Sequence, residues 1–361
     1  LNPNLGEAHY NLGNALGQKG DWEGAIAEYR QALRCNPNLA DAHLNLGAAL
    51  GNKGDLNGAI AEYREALRLN PNLSEAHNNI GAALGSKGDW DGATLEYREA
   101  LGLNPKNDMA HHNLGVVLLR NGDLDEAIGE SREALRLNPD LAGAHLNLGA
   151  GLGKSGDWDG ATAEYREALR LDPNLAEAHD NLGVALSHKG DWDGAIVEHR
   201  EAIRLNPNLA GAHLNLGVIL GSKGDTVGEI AEYREELRLN PDLAGAHHNL
   251  GIALGTKGDW DGAIAEYREA LRLGPNLAEA RNNLGAALAN KGDWDDAIPE
   301  FRVALRVNPN HAEAHNNLGV ALEQKGDRRG AVEEYRTACL LDPKNALYKQ
   351  NYERLLQLVK H

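Results

Sequence analysis

Cysteine is nearly missing from this 361-residue sequence: only Cys35 and Cys339 occur, far apart along the chain. Two such residues exclude a disulfide framework and lack the paired spacing of a structural zinc site. Phenylalanine and methionine occur once each, as Phe301 and Met109, so the apolar set rests on Ala and Leu. Basic residues are also short, with 36 Lys and Arg against 53 Asp and Glu and a formal charge of −17. That balance argues against a nucleic-acid module, which needs a basic stripe, and against binding to an anionic membrane surface. No run approaches the roughly 18 consecutive apolar residues of a membrane span, and no secretory leader pattern is visible. The sequence starts at Leu1 rather than Met, which leaves a processed or cropped leader open. Low cysteine content suits the cytoplasm, the favoured compartment, and tolerates the exterior equally well.

What the sequence does have is a period. Ten prolines from Pro37 to Pro343 stand 34 residues apart without a slip, and Pro3 falls on the same lattice. Ten full units follow: 6–39, 40–73, 74–107, 108–141, 142–175, 176–209, 210–243, 244–277, 278–311 and 312–345. No linker interrupts them, and a repeat array escapes the limit of about 250–300 residues on a single core. Each unit predicts two helices. In 40–73, Ala42, Leu46, Ala49 and Leu50 mark one apolar face of a helix over Ala40 to Asn52. Gly54 suits the left-handed stop that follows, and Asp55 the N-cap of the next helix. Ala59, Ile60, Tyr63, Ala66 and Leu67 give that second helix its inner face, and Asn70-Pro71 ends it. Gly fills the eighth position of all ten units, for example Gly47. Gly inside a helix costs about 0.5–1 kcal/mol relative to Ala, so close approach of the paired helix is expected to offset it, with Ala59 and Ala66 as the facing residues.

The pattern H-x-x-L-G-x-x-L, then A-x-x-x-Y, A and P, resembles the tetratricopeptide repeat over residues 6–345. Two departures are systematic: His or Arg281 stands where that family usually has Trp, and Leu where it has Tyr. Trp moves to the start of the second helix, as Trp22, Trp90, Trp158, Trp192, Trp260 and Trp294. The resemblance implies an all-α fold, a right-handed superhelical solenoid of helix-turn-helix units curling around a long inner channel. Residues 1–5 match the tail of a repeat, expected to belong to a truncated upstream unit. Residues 346–361 break the pattern, with Tyr348, Tyr352, Leu355 and Val359 as one apolar stripe and polar residues elsewhere, as expected of a C-terminal capping helix.

Chemistry is sparse. There is no GxSxG, phosphate loop or HExxH, so no enzyme, catalytic residue or cofactor is expected. His at the fourth position of nine units (His9, His43, His77, His111, His145, His179, His213, His247 and His315) invites a metal reading. Stacked equivalents should lie on the order of 10 Å apart, whereas zinc needs nitrogens about 2 Å from one centre. Structural contacts are therefore expected and no metal. Protonating all fifteen histidines would shift the formal charge from −17 to −2, so association or solubility is expected to change between about pH 7 and 5.

The sixth position of every unit is Asn: Asn11, Asn45, Asn79, Asn113, Asn147, Asn181, Asn215, Asn249, Asn283 and Asn317. Asn is a poor helix former, so propensity does not explain it. The family resemblance places this position on the concave lining. Similarity to the arrays of O-GlcNAc transferases implies amide contacts to the main chain of an extended peptide. Bridging between neighbouring units, or inheritance from a recently duplicated unit, is the alternative. The carboxylate-clamp pattern of some family members is absent, because the positions that should supply Lys hold Tyr10, Leu44, Asn78, His112, Leu146, Asp180, Leu214, His248, Asn282 and Asn316. Of its partner Asn only Asn14 survives. The Glu62, Arg64, Glu65 and Arg68 pattern reads as a solvated outer face. The Trp residues either pack over the turn between helices or offer a lateral surface. Units 108–141 and 210–243 diverge most, and Glu229 and Glu236 replace packing Ala, which predicts a weak point.

The expected function is a non-enzymatic scaffold for a protein or peptide held along the concave groove, without nucleic acid or membrane insertion. Two alternatives accompany it: self-assembly of copies end to end into a polymer or filament, and service as the interaction arm of a larger enzyme.

Overall fold

A computed structural model describes residues 3–359, side chains from Leu5 onward. Among these residues there are twenty-one α-helices and no strand. They fall into two compact bodies, Leu1–Lys189 and Gly190–His361. In the first body, first and second helices alternate from Pro3–Gln18 and Trp22–Cys35 to Ala176–His188; in the other they run from Trp192–Leu205 to Ala346–Val359. Within each body a first helix packs on its own second helix, on the second helix of the preceding unit, and on neighbouring first helices. This is an all-α repeat solenoid, and within each body the first helices share one face. Leu1 and Asn2, part of the predicted upstream tail, and Lys360 and His361, the end of the predicted cap, lie outside the described residues. Pro3 already belongs to the first helix.

Local signals explain the helix limits. The helix Ala40–Asn52 is followed by Gly54 at φ +86°, a left-handed residue that a side chain would strain. Asp55 then accepts from the Gly58 N–H at 2.8 Å, satisfying one of the open donors of Leu56–Leu69. Ala42, Leu46, Ala49, Ala59, Ile60, Tyr63 and Ala66 are buried. In Ala346–Val359, Tyr348 and Leu355 are buried, Tyr352 is half-buried and Val359 is exposed.

The eighth-position Gly has a different partner from the one expected. A Cβ on Gly47 would lie 2.6 Å from Tyr63 Cε1, while Ala66 is not among its near neighbours and Ala59 offers only its carbonyl oxygen at 3.1 Å. The second helix therefore needs Gly to seat a flat aromatic ring, not to bring small residues together. Gly81 with Tyr97, Gly149 with Tyr165, Gly251 with Tyr267 and Gly285 with Phe301 repeat the contact. Burial pushes the Tyr63, Tyr97 and Tyr267 hydroxyls up to about 12.

Both divergent units have a physical account. In 108–141 the ring is lost to Ser131, whose hydroxyl is buried without a hydrogen bond among the described residues. Leu119 stands where most units have Gly (Gly51, Gly85, Gly153) and is buried in the same core as Leu118 and Ala127. Bulk has moved from the second helix to the first. In 210–243 the first helix starts at Ala212, although the repeat predicts Ala210. Glu236, 1 % exposed, accepts from the Gly211 N–H at 3.2 Å, and Gly211 takes φ +85°. A carboxylate in place of a buried Ala has opened the first turn.

Candidate functional site

The shared face of the first helices carries a series of similar concavities. In the first body one of about 450 Å³ is lined by Asn14, Trp22, Tyr29, Asn45 and Ala48. The next, about 300 Å³, is lined by Ala48, Asn52, Leu56, Tyr63, Asn79 and Ala82. In the other body, hollows of about 430, 330 and 190 Å³ are edged by Asn249, Asn283 and Asn317 respectively. The pattern is constant. The aromatic ring of the second helix and the residue that opens that helix (Trp22, Leu56, Trp260 or Trp294) line each hollow but the one at Asn249, where the ring is Tyr233 and Glu229 replaces the opening residue. Small residues leave the room, and the sixth-position Asn of the following unit stands at the rim. Trp22, Trp90, Trp158 and Trp260 sit against Gly17, Gly85, Gly153 and Gly255 near the end of their own first helix. Arg120 lies 4.2 Å over the Trp90 ring, and His188 stacks on Trp158 at 3.9 Å.

The ten asparagines are not equivalent. Asn45 donates Nδ2–H to the Tyr10 hydroxyl at 3.1 Å and to Asn14 Oδ1 at 2.8 Å. Asn113 donates to Asn78, Asn147 to the bare Nδ1 of His112, Asn283 to Nε2 of His248, and Asn317 to Asn282, all within 3.0–3.1 Å. Asn215 is engaged as well. Apart from Asn14, each partner named here is the fifth residue of the preceding unit. Where that residue is Leu, there is nothing to accept. Asn79 follows Leu44, Asn181 follows Leu146 and Asn249 follows Leu214. No hydrogen bond to the side chains of Asn181 or Asn249 is found among the described residues, and Asn79 accepts only from Asn78 at 3.4 Å. Asn11 is exposed. The ladder also runs into Ala346–Val359, where Asn351 donates to Asn316 at 2.9 Å. The sequence reading missed Asn351 because the surrounding pattern had broken, although its spacing from Asn317 is one period.

The fourth-position residue ties the second helix of its own unit to the proline turn that ends the preceding unit. His43 Nδ1 meets Glu62 at 2.6 Å and its Nε2 meets the Pro37 carbonyl at 3.2 Å. His111, His145, His247 and His315 repeat both contacts. A carboxylate and a carbonyl only accept, so both contacts are hydrogen bonds when both ring nitrogens carry hydrogen. Arg281 makes the same two contacts, to Glu300 at 3.0 Å and to the Pro275 carbonyl at 3.3 Å, with a permanent charge. Among the described residues no three His, Cys, Asp or Glu side chains are grouped to hold a metal.

His315 on one side and His112 and His248 on the other have opposite pH dependence. The hydrogen bond to Glu334 raises the His315 pKa, so its stabilising contribution is full below about pH 6.5 and lost as pH rises through the folded value. Desolvation lowers those of His112 and His248, so the folded state holds fewer protons there and stability falls as pH drops below about 6.5. The double variant His112→Asn/His248→Asn should keep the ladder, since Asn78 and Asn282 serve at that position. Its stability relative to the parent is expected to rise between pH 7 and 5, while His315→Arg gains on the parent above neutrality. Urea melts across this range check both, and pH-independent differences would contradict them.

Two family profiles match the chain. One described as "TPR repeat" matches residues 13–54, 52–88, 151–190, 188–224 and 256–292, and one described as "Tetratricopeptide repeat" matches 78–142 and 288–346. A comparison with curated proteins gives no match. Among solved structures, a chain of the APC/C hetero-tetramer Cut9-Hcn1 is similar at 14 % identity over 97 % of this chain and 96 % of that one, with a TM-score of 0.51. PilF of Pseudomonas aeruginosa is similar at 24 % identity over 61 % of this chain and 98 % of its own, with a TM-score of 0.54. No helix among the described residues is long and apolar enough to cross a membrane.

Proposed function

Because the chain belongs to the tetratricopeptide repeat family, a family of protein-interaction scaffolds, we propose that it holds an extended peptide of a partner protein along its first-helix face without catalysing a reaction. The observation that carries this reading is the set of uncommitted amides. Asn79 and Asn181 in the first body and Asn249 in the other each present an Nδ2 donor on the first-helix face of their own body, and Asn79 and Asn249 line hollows there. An extended main chain offers one donor and one acceptor per residue, and a side-chain amide matches both without reading the peptide's own side chains. The apolar and aromatic hollows would add side-chain contacts. The engaged residues, Asn45, Asn113, Asn147, Asn283 and Asn317, serve the array itself in this reading, which divides one sequence motif into two tasks.

Selection from a displayed library of random peptides, followed by titration of the retained peptides, tests the proposal. The variant Asn79→Ala/Asn181→Ala/Asn249→Ala is expected to lose about tenfold or more in affinity, equivalent to about 1.4 kcal/mol, with its unfolding midpoint unchanged. Asn45→Ala, which breaks two hydrogen bonds across units, is expected to cost about 1 kcal/mol of stability. Equal affinity for the triple variant and the parent would overturn the assignment.

A further inference from the structure

One hollow differs from all the others. Position twenty of the other nine units is an Ala with no exposed surface, such as Ala59, Ala195 or Ala263. In unit 210–243 it is Glu229, whose carboxyl fills the space over Gly221: a Cβ there would lie 2.5 Å from Glu229 Cδ. Resting on the peptide reading above, we infer that the hollow formed by helices Ala212–Ser222, Thr226–Leu239 and Ala244–Thr256 takes a cationic side chain, lysine or arginine, from the bound peptide.

Three features of the hollow fit that occupant. First, its polar groups are oxygen acceptors in excess. Glu229, Tyr233, Ser222 and Asn249 line one space of about 430 Å³, with the Asn249 amide adding a donor beside its oxygen. An ammonium or guanidinium carries only donors. Second, no cation of the protein answers Glu229: it forms no ion pair among the described residues, whereas neighbouring surface carboxylates do, as Asp193 does with Lys223 and Asp261 with Lys291. Burial raises the Glu229 pKa from its ordinary value, and a cation brought by the ligand would offset that desolvation. Third, the walls are aliphatic. Val218 and Ile252 are 45 % and 41 % exposed, more than a core residue and well placed to cover an apolar stem while the charged tip reaches the acceptors. A neutral apolar side chain would leave the carboxylate desolvated and unpaired. An acidic one would add like charge.

The test uses the full chain and the random peptide library. Peptides retained by the parent are expected to share a Lys or Arg at one register position. Replacing it by norleucine should weaken binding about tenfold or more. Glu229→Ala, which restores the residue of the other units and is therefore expected to fold, should abolish that preference, as should the isosteric Glu229→Gln. Retained peptides with no basic preference, or with one that survives both substitutions, would overturn the inference and leave the peptide reading standing. Retention of no peptide at all would overturn the peptide reading and this inference with it.

Discussion

Tyr63→Ser is expected to destabilise the first body by about 3–5 kcal/mol, and adding Gly51→Leu to return about 1–2 kcal/mol of that. Tyr63 is 5 % exposed and its ring lies against Gly47, so truncation removes an aromatic ring from a site that cannot collapse on a Gly without backbone movement. The rescue copies unit 108–141, where Ser131 and Leu119 occur together. A Cβ on Gly51 would meet only Ala59 Cβ, at 3.8 Å, so the added side chain has room to start. In a repeat array each unit contacts only its neighbours. The loss should therefore appear as an early transition in urea melts followed by circular dichroism, with the remaining units melting later. A single variant within about 1 kcal/mol of the parent, or a Leu that makes the loss worse, would refute the exchange of bulk between helices.

Glu236→Ala is expected to have the opposite sign, stabilising by about 1–3 kcal/mol. The carboxylate is buried and accepts from the Gly211 N–H, an arrangement that holds the first turn of the helix open. Alanine is the residue of the other nine units at this position. With it, the helix should extend back to Ala210, as Ala40–Asn52 and Ala244–Thr256 start at the equivalent residue. Amide exchange over 210–243 is expected to be faster than in 244–277 in the parent and to slow about tenfold or more in the variant. Equal exchange in parent and variant would show that Glu236 does not set the weak point.

The fold was largely legible because its signals are local and repeated. Gly54, Asp55 and Pro71 act within a few residues of themselves, and a helix can be bounded from them without knowledge of its neighbours. What could not be read was spatial. Gly47 is plainly unusual in a helix, but the sequence does not say that its partner is the Tyr63 ring rather than Ala66. In unit 108–141 the aromatic position holds Ser131 and a common Gly position holds Leu119, and only the structure shows that both are buried. At the candidate site, the Asn ladder was visible as a column, yet its division into engaged and uncommitted members depends on the fifth residue of the unit before. Leu44, Leu146 and Leu214 are plain in the sequence. Their meaning required the register that places Asn79, Asn181 and Asn249 beside them. Glu229 was noticed as a loss of packing, and its place in an acceptor-lined hollow came only from the structure.

The most direct test of the account is the side-chain amide NMR spectrum of the full chain, recorded with and without a peptide retained from the library. The Nδ2 resonances of Asn79, Asn181 and Asn249 are expected to shift on binding, while those of Asn45, Asn113 and Asn147 stay with their partners across units. Shifts confined to the outer face of the second helices, or spread equally over engaged and uncommitted asparagines, would contradict it.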